Sequence, residues 1–234
     1  MSQNTFALVN GAIVDALNPS SNTGHVVVSG DEIADVVSGD PQQAAITEKI
    51  DLDGKFIVPG LWDVHTHIGK GIPDSEARDE TSAERTIRAG ENCLKSLHMG
   101  ITSLRVVGEK DFIDVAWKKA FSSGSFVGPD LYTCGWFITT TAGHFLKSGC
   151  AVEVDGVTEY LRVIREQIKN GVDFIKLNLT GGVMGPDWDK MPNTFPTDDE
   201  LKAAFGLCHQ RGFKIVAHAG GLDGIKKAVE YGAH

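Results

Sequence analysis

No stretch of these 234 residues approaches the roughly 20 consecutive apolar positions that a membrane-spanning helix needs. Cysteine is scarce, and Cys93, Cys134, Cys150 and Cys208 lie far apart without any CxxC spacing. With no paired spacing to read, reduced, half-buried thiols of a cytoplasmic protein are expected. Basic residues are outnumbered 22 to 31, for a net charge of -9. Nucleic acid and anionic membrane are therefore poor candidates for the main partner. The opening MSQNTFALVNG lacks a basic stretch followed by a long apolar one, so no secretory leader is expected. Hydrophobic residues at 41% and charged residues at 23% match ordinary folded domains, which excludes long disorder and coiled coil.

Two textures are present. Up to about residue 58, the runs FALVNGAIVDAL, HVVVSGDEIADVV and KIDLDGKFIV are rich in β-formers and are broken by Asn-Gly, Gly-Asp or Asp-Gly, which read as turns. No helical period occurs there, and the segment reads as a small β-domain or part of one. Pro59-Gly60 then punctuates the chain. Five apolar, β-branched runs follow, at about 61–67, 101–108, 130–138, 173–180 and 214–219. Between most of them lie helical patterns. Thr81 to Glu84 and Thr197 to Glu200 are capping boxes. The first opens a helix with Ile87, Leu94 and Leu97 on one face; the second opens one with Leu201, Ala204, Phe205 and Cys208 at i, i+3, i+4 and i+7. Residues 157–170 place Leu161, Ile164 and Ile168 together before Gly171, and Ile225, Ala228 and Val229 mark a last helix before Gly232. Near-continuous apolar strands alternating with helices mean βα units and a parallel sheet buried on both faces, either doubly wound or a barrel.

The polar residues that stand out sit at the C-terminal ends of these runs: His65, His67, Arg105, His144, Lys176 and His218. In a (β/α) barrel that end carries the active site. His65 and His67, two residues apart on a strand, share a face. Both could ligate one divalent ion at about 2.0–2.1 Å, or they could be a solvated pair at a strand end. Lys176 interrupts an apolar strand, where burial disfavours the ammonium form. A neutral amine there can take up CO₂ to become a carbamate; the plain alternative is a lysine snorkelling out from the strand end. His218 ends the fifth run as either ligand or packing residue. His25, His98 and His209 read as surface or packing residues.

Together VPGLWDVHTHIG at 58–69, MGITSLRVVG at 99–108, Gly143-His144, DFIKLNLTGGVMGP at 173–186 and IVAHAGG at 215–221 resemble the amidohydrolase superfamily. The branch they are similar to is related to imidazolonepropionase and includes prolidase-type dipeptidases and ochratoxin-type amidases. The resemblance covers almost the whole chain. It implies an α/β fold, a (β/α)₈ TIM barrel carrying a composite β-sandwich, with residues 1–58 in the sandwich and 59–234 in the barrel. It further implies metal ligation by His65, His67, Lys176 and His218, with Lys176 as a carbamate bridging two divalent ions. Zinc is the expected metal, with Co²⁺, Mn²⁺ or Fe²⁺ also suited to such ligands. His144 would touch the substrate. Arg105 matches a family arginine, but Val106 stands where an acid often follows, so Arg105 is expected to be structural.

The activity so implied is hydrolysis of a C–N bond, amide or peptide, by a metal-bound hydroxide, as in a dipeptidase or N-acyl amino acid amidase. A cyclic-amide hydrolase like imidazolonepropionase is the close alternative, and a non-catalytic homologue serving as a scaffold is a more distant one. The expected partner is a small amide or dipeptide, with no nucleic acid and no membrane; barrel surface leaves room for a homo-oligomer. The loop 181–197, with Trp188 and Met191, is expected to help form the pocket. Two family ligands, a sixth-strand histidine and the eighth-strand aspartate that serves as general base, have no counterpart here, and His234 is not expected to replace the first. Five βα units fit between residue 61 and residue 234. The sequence is accordingly expected to be the N-terminal part of a protein of roughly 400 residues, inactive alone, by scaling to eight units.

Overall fold

The computed structural model describes residues 4–14, 22–39, 41, 46–71, 80–183 and 185–234. Residues 1–3 of the opening segment, residues 15–17 at the tail of the first expected strand run, and Met184 of the loop 181–197 lie outside the described residues. The chain divides into two compact units, Met1–Gly60 and Leu61–His234.

In the first unit, β1 (Thr5–Ile13) is the central strand. It pairs antiparallel with β2 (Asn22–Ser29), which pairs in turn with β3 (Glu32–Val37) across the turn at Gly30-Asp31. On its other side β1 runs parallel to β4 (Glu48–Asp51) and then β5 (Phe56–Ile57). Two glycine dipeptides behave differently from the turns expected of them. Asn10-Gly11 does not break the first strand but forms a bulge within it, with Asn10 at φ 56°. A methyl on Gly11 would meet the tips of the Ile57 and Leu52 side chains at 2.7 and 2.9 Å, which would have to shift to admit it. Asp53-Gly54 is a turn, but it joins two strands that both lie alongside β1 and makes no hairpin.

The second unit alternates parallel strands with helices. Its strands are β6 (Leu61–Thr66), β7 (Ile101–Val106), β8 (Asp130–Tyr132), β9 (Phe137–Thr139), β10 (Ala151–Glu153), β11 (Phe174–Asn178) and β12 (Lys214–His218). Its helices are α1 (Ser82–His98), α2 (Ile113–Ser122), α3 (Gly156–Asn170), α4 (Asp198–Gln210) and α5 (Gly221–Glu230). One sheet has the order β6-β7-β8 and the other β10-β9-β11-β12. All five expected runs are strands. The third is interrupted at Cys134-Gly135, where both backbone N–H groups donate to Asp114 (3.1 and 2.9 Å) instead of to a neighbouring strand. Its two halves bridge the sheets, because the Thr133 carbonyl accepts from Asp173 N–H (2.8 Å) at the foot of β11. β10 is a short strand with no counterpart in the five apolar runs.

Both capping boxes form, Thr81 with Glu84 and Thr197 with Glu200. On α4 the expected face, Leu201, Ala204, Phe205 and Cys208, is buried against β11 and β12 in the main core with Ile175, Leu177, Leu179 and Ile215. On α1 the expectation fails: Ile87 is 72% exposed, and the inward face is Arg85, Ala89 and Cys93. That face takes up a buried ion pair and lets Trp117 lie against Gly90, which longer side chains would prevent. On α5 the inward positions are Gly224 and Ala228, while Ile225 and Val229 are exposed. The four cysteines are fully buried free thiols, not half-buried ones.

Candidate active site

Alternation along the strands separates two faces. On β11, Ile175 and Leu177 turn to the helices, so Lys176 and Asn178 point the other way. On β12, Ile215 joins the helix-side core, whereas Val216 and His218 share the opposite face. The register sets Lys176 beside Val216 and Asn178 beside His218. Five of the residues singled out in the sequence, His65, His67, His144, Lys176 and His218, line one cavity of about 330 Å³. Phe137, Phe145, Lys70, Val107 and Asn178 complete its wall.

Backbone carbonyls hold the rings of His67 and His218, and a carboxylate holds that of His144. His67 donates through Nδ1 to the Gly108 carbonyl (2.8 Å), which leaves the Nε2 lone pair free. His65 stands on exposed β6, its ring centroid 5.9 Å from that of His67. His218 donates through Nε2 to the Gly181 carbonyl (3.1 Å), leaving Nδ1 as its lone pair. His144 stacks on His218 with centroids 4.2 Å apart and donates through Nδ1 to Asp189 (2.8 Å). The same Asp189 oxygen accepts the Gly182 N–H (3.1 Å). The glycine pair after β11 follows from this crowding. A Cβ on Gly181 would collide with the Lys190 backbone, and one on Gly182 with the His144 ring.

Burial governs the protonation states. It pushes the His218 imidazole down to about 4, helped by the neighbouring His144 and Lys176. His65 and His67 are also lowered, first by burial and then by nearby cationic groups including Lys176. Lys176 is 4% exposed, and burial brings its amine down to about 8, with Arg105 adding to the effect. Near neutral pH His65, His67 and His218 therefore favour their neutral forms, and Lys176 has an accessible neutral amine. Among the described residues, no three His, Cys, Asp or Glu side chains form a ready-made metal cage. Nitrogen lone pairs with depressed proton affinity, on a shared cavity wall, are nevertheless the donor chemistry a divalent cation selects.

Arg105 donates through Nε to the Val64 carbonyl (2.6 Å), bracing the strand that carries His65. His234 lies beside Ile215, at the opposite end of β12 from His218. Asp189, 5% exposed, escaped the sequence reading because its partner His144 is 45 residues away. Asn178, whose side chain donates to the His144 carbonyl (3.2 Å), could have been found from its place two residues after Lys176.

An α/β unit whose parallel strands gather histidines and a buried lysine at one cavity defines the class of protein. The chain belongs to the Amidohydrolase family, whose model matches residues 56–234. It is 30% identical over 205 residues to ochratoxinase of Aspergillus niger, covering 75% of this chain and 42% of that protein. Its structure is similar to that of a Xaa-Pro dipeptidase with bound methionine in the active site, at TM-score 0.87 and 26% identity, over 98% of this chain and 60% of the other. A prolidase complexed with N-methylphosphonate-L-proline matches equally, at TM-score 0.87 and 26% identity, over 99% and 60%. The chain thus spans less than half of the ochratoxinase sequence it matches.

Proposed function

We propose that the whole protein is a metal-dependent hydrolase of C–N bonds, acting on a dipeptide or an N-acyl amino acid. The observation that carries this reading is the convergence of His65, His67, Lys176, His218 and His144 on one cavity. The names of the similar proteins, ochratoxinase, Xaa-Pro dipeptidase and prolidase, support the substrate class. The presence together of His65, His67, Lys176 and His218 supports a catalyst over a scaffold. Residues 59–234 are proposed as the first five units of an eight-unit barrel and residues 1–58 as part of a β-sandwich. The parallel strand order and the backbone bonds joining the two sheets support the barrel.

In this reading His65, His67 and His218 would hold divalent ions, zinc by preference, together with Lys176 once CO₂ has converted its neutral amine to a carbamate. Bound divalent ions would supply Lewis acidity toward the scissile carbonyl and lower the pKa of water. The protein's own residues do the rest. The Gly108 carbonyl keeps His67 in the tautomer with its Nε2 lone pair free. Asp189 does the same for His144, leaving its Nε2 to meet the substrate carbonyl or carboxylate. Burial keeps Lys176 reactive toward CO₂ by favouring the neutral amine. Phe137 and Phe145 close one wall with apolar surface and exclude water from the substrate.

The test is a screen of dipeptides and N-acyl amino acids with the full-length protein saturated in Zn²⁺ or Co²⁺. Lys176→Ala should abolish hydrolysis, and a short carboxylic acid supplied in trans should restore part of it. Undiminished hydrolysis in Lys176→Ala would reject the mechanism.

A further inference from the structure

Next to the cavity, but not lining it, lies a polar cluster that the proposed reaction leaves unused. Glu109, in the turn after β7, is fully buried. One of its oxygens accepts the Gly69 N–H (2.7 Å), two residues beyond His67. The other is ion-paired with Arg85 of α1 and accepts the Lys110 N–H (3.3 Å). The Glu109 N–H donates to the Gly135 carbonyl (2.7 Å) in the break between β8 and β9. Arg85, 7% exposed, also reaches Cys150 Sγ (2.8 Å) and Glu80 (3.6 Å). Glu109 thus ties together the segments that follow β6 and β7 and the inner face of α1 through its carboxylate, and the β8–β9 break through its backbone N–H.

Two features make this more than packing. Burying an ion pair is a poor way to gain stability, because desolvation cancels most of the attraction. The pair is also next in sequence to the carbonyl that orients His67. Gly108 sits at φ 153°, and a Cβ on it would press on both Phe137 (2.5 Å) and His67 (3.2 Å). Its carbonyl shares a peptide plane with the Glu109 N–H, which is bonded to the Gly135 carbonyl, so the direction of that carbonyl follows the way Glu109 is held on both its backbone and its carboxylate. The Gly69 bond grips the other side of His67. We propose that the buried Arg85–Glu109 pair is a positioning device that holds the His67 imidazole in its Nδ1–H tautomer, with Nε2 presented for a divalent cation. This inference rests on the metal-site reading above for its purpose, but its geometry does not depend on it.

The tautomer is measurable without metal. In the full-length protein stripped of metal, ¹⁵N chemical shifts of His67 should report the Nδ1–H form. In Glu109→Gln they should report a mixture of tautomers. Co²⁺ titration of the same variant should show affinity lower by about 10- to 100-fold, the usual cost of losing a partner that orients a metal ligand. Because Glu109→Gln leaves Arg85 charged and buried, Arg85→Gln with Glu109→Gln provides a neutral counterpart that strands no charge. It should show the same shift and the same loss. Wild-type His67 shifts and wild-type Co²⁺ affinity in either folded variant would overturn the proposal. Failure of the metal-site reading is told apart by His67→Ala, which would then leave Co²⁺ binding unchanged while the tautomer shift in Glu109→Gln persists.

Discussion

The two faces of β11 have the same backbone and the same neighbours on either side, yet they obey opposite rules. Toward the helices stand Ile175, Leu177 and Leu179, each 1% exposed and packed on α3 and α4. Toward the cavity stand Lys176 and Asn178, nearly as buried at 4% and 3%. Burial of the first set supplies stability, at about 25 cal/mol per Å² of apolar surface. Burial of the second set costs stability and lowers the lysine's proton affinity. One strand therefore separates folding from chemistry by the direction of its side chains. The helix-facing positions hold the cavity-facing ones in place.

Substitutions on the two faces should separate accordingly. Lys176→Met keeps most of the volume and removes the amine. Hydrolysis by the full-length protein should fall by at least about 10³-fold, the equivalent of several kcal/mol of metal-assisted stabilisation. Compared with wild type, both stripped of metal so that lost ligand binding does not enter, its thermal midpoint should stay level or rise, because no amine need be desolvated; a large drop in the midpoint would mean that Lys176 is structural. Leu177→Ala, one residue along, should do the reverse. Denaturant unfolding should show a loss of about 2–5 kcal/mol from transfer and cavity terms, with metal content per folded protein unchanged. The smallest expected effect lies at the edge of the same core. Thr197→Ala removes the side chain that accepts the Glu200 N–H at the start of α4 and should cost about 1 kcal/mol. Hydrogen exchange should then rise in the first turn of α4 and leave β11 alone.

The helix-facing half was largely legible in the sequence. Apolar runs marked every strand of the second unit except the short β10, and the two capping boxes marked where α1 and α4 begin. These signals are local, carried by residues within one turn or one strand. The cavity-facing half was legible where the chemistry is short-range, as in His65 and His67, or where one residue breaks an apolar run, as Lys176 does. Partners far apart in the chain left no such trace. Asp189 holds His144 from 45 residues away, and Glu109 meets Arg85 and Gly69 from 24 and 40 residues away. The face of α1 was misjudged for the same reason. Its apolar stripe of Ile87 and Leu94 looks like a core face, but the interior requires Arg85 for Glu109 and the small Gly90 for Trp117. Likewise, Asn10-Gly11 has the composition of a hairpin turn, and only the pairing of β1 with strands on both sides makes it a bulge.

The proposed function depends on His65, His67, His218 and a carboxylated Lys176 together holding divalent ions. Metal content of the full-length protein, purified without chelator and compared with Lys176→Ala, tests it most directly. About two divalent ions per chain are expected in the wild type and a clear deficit, together with lost hydrolysis, in the variant. A wild-type protein without bound metal, or a variant with full metal content and full activity, would contradict it.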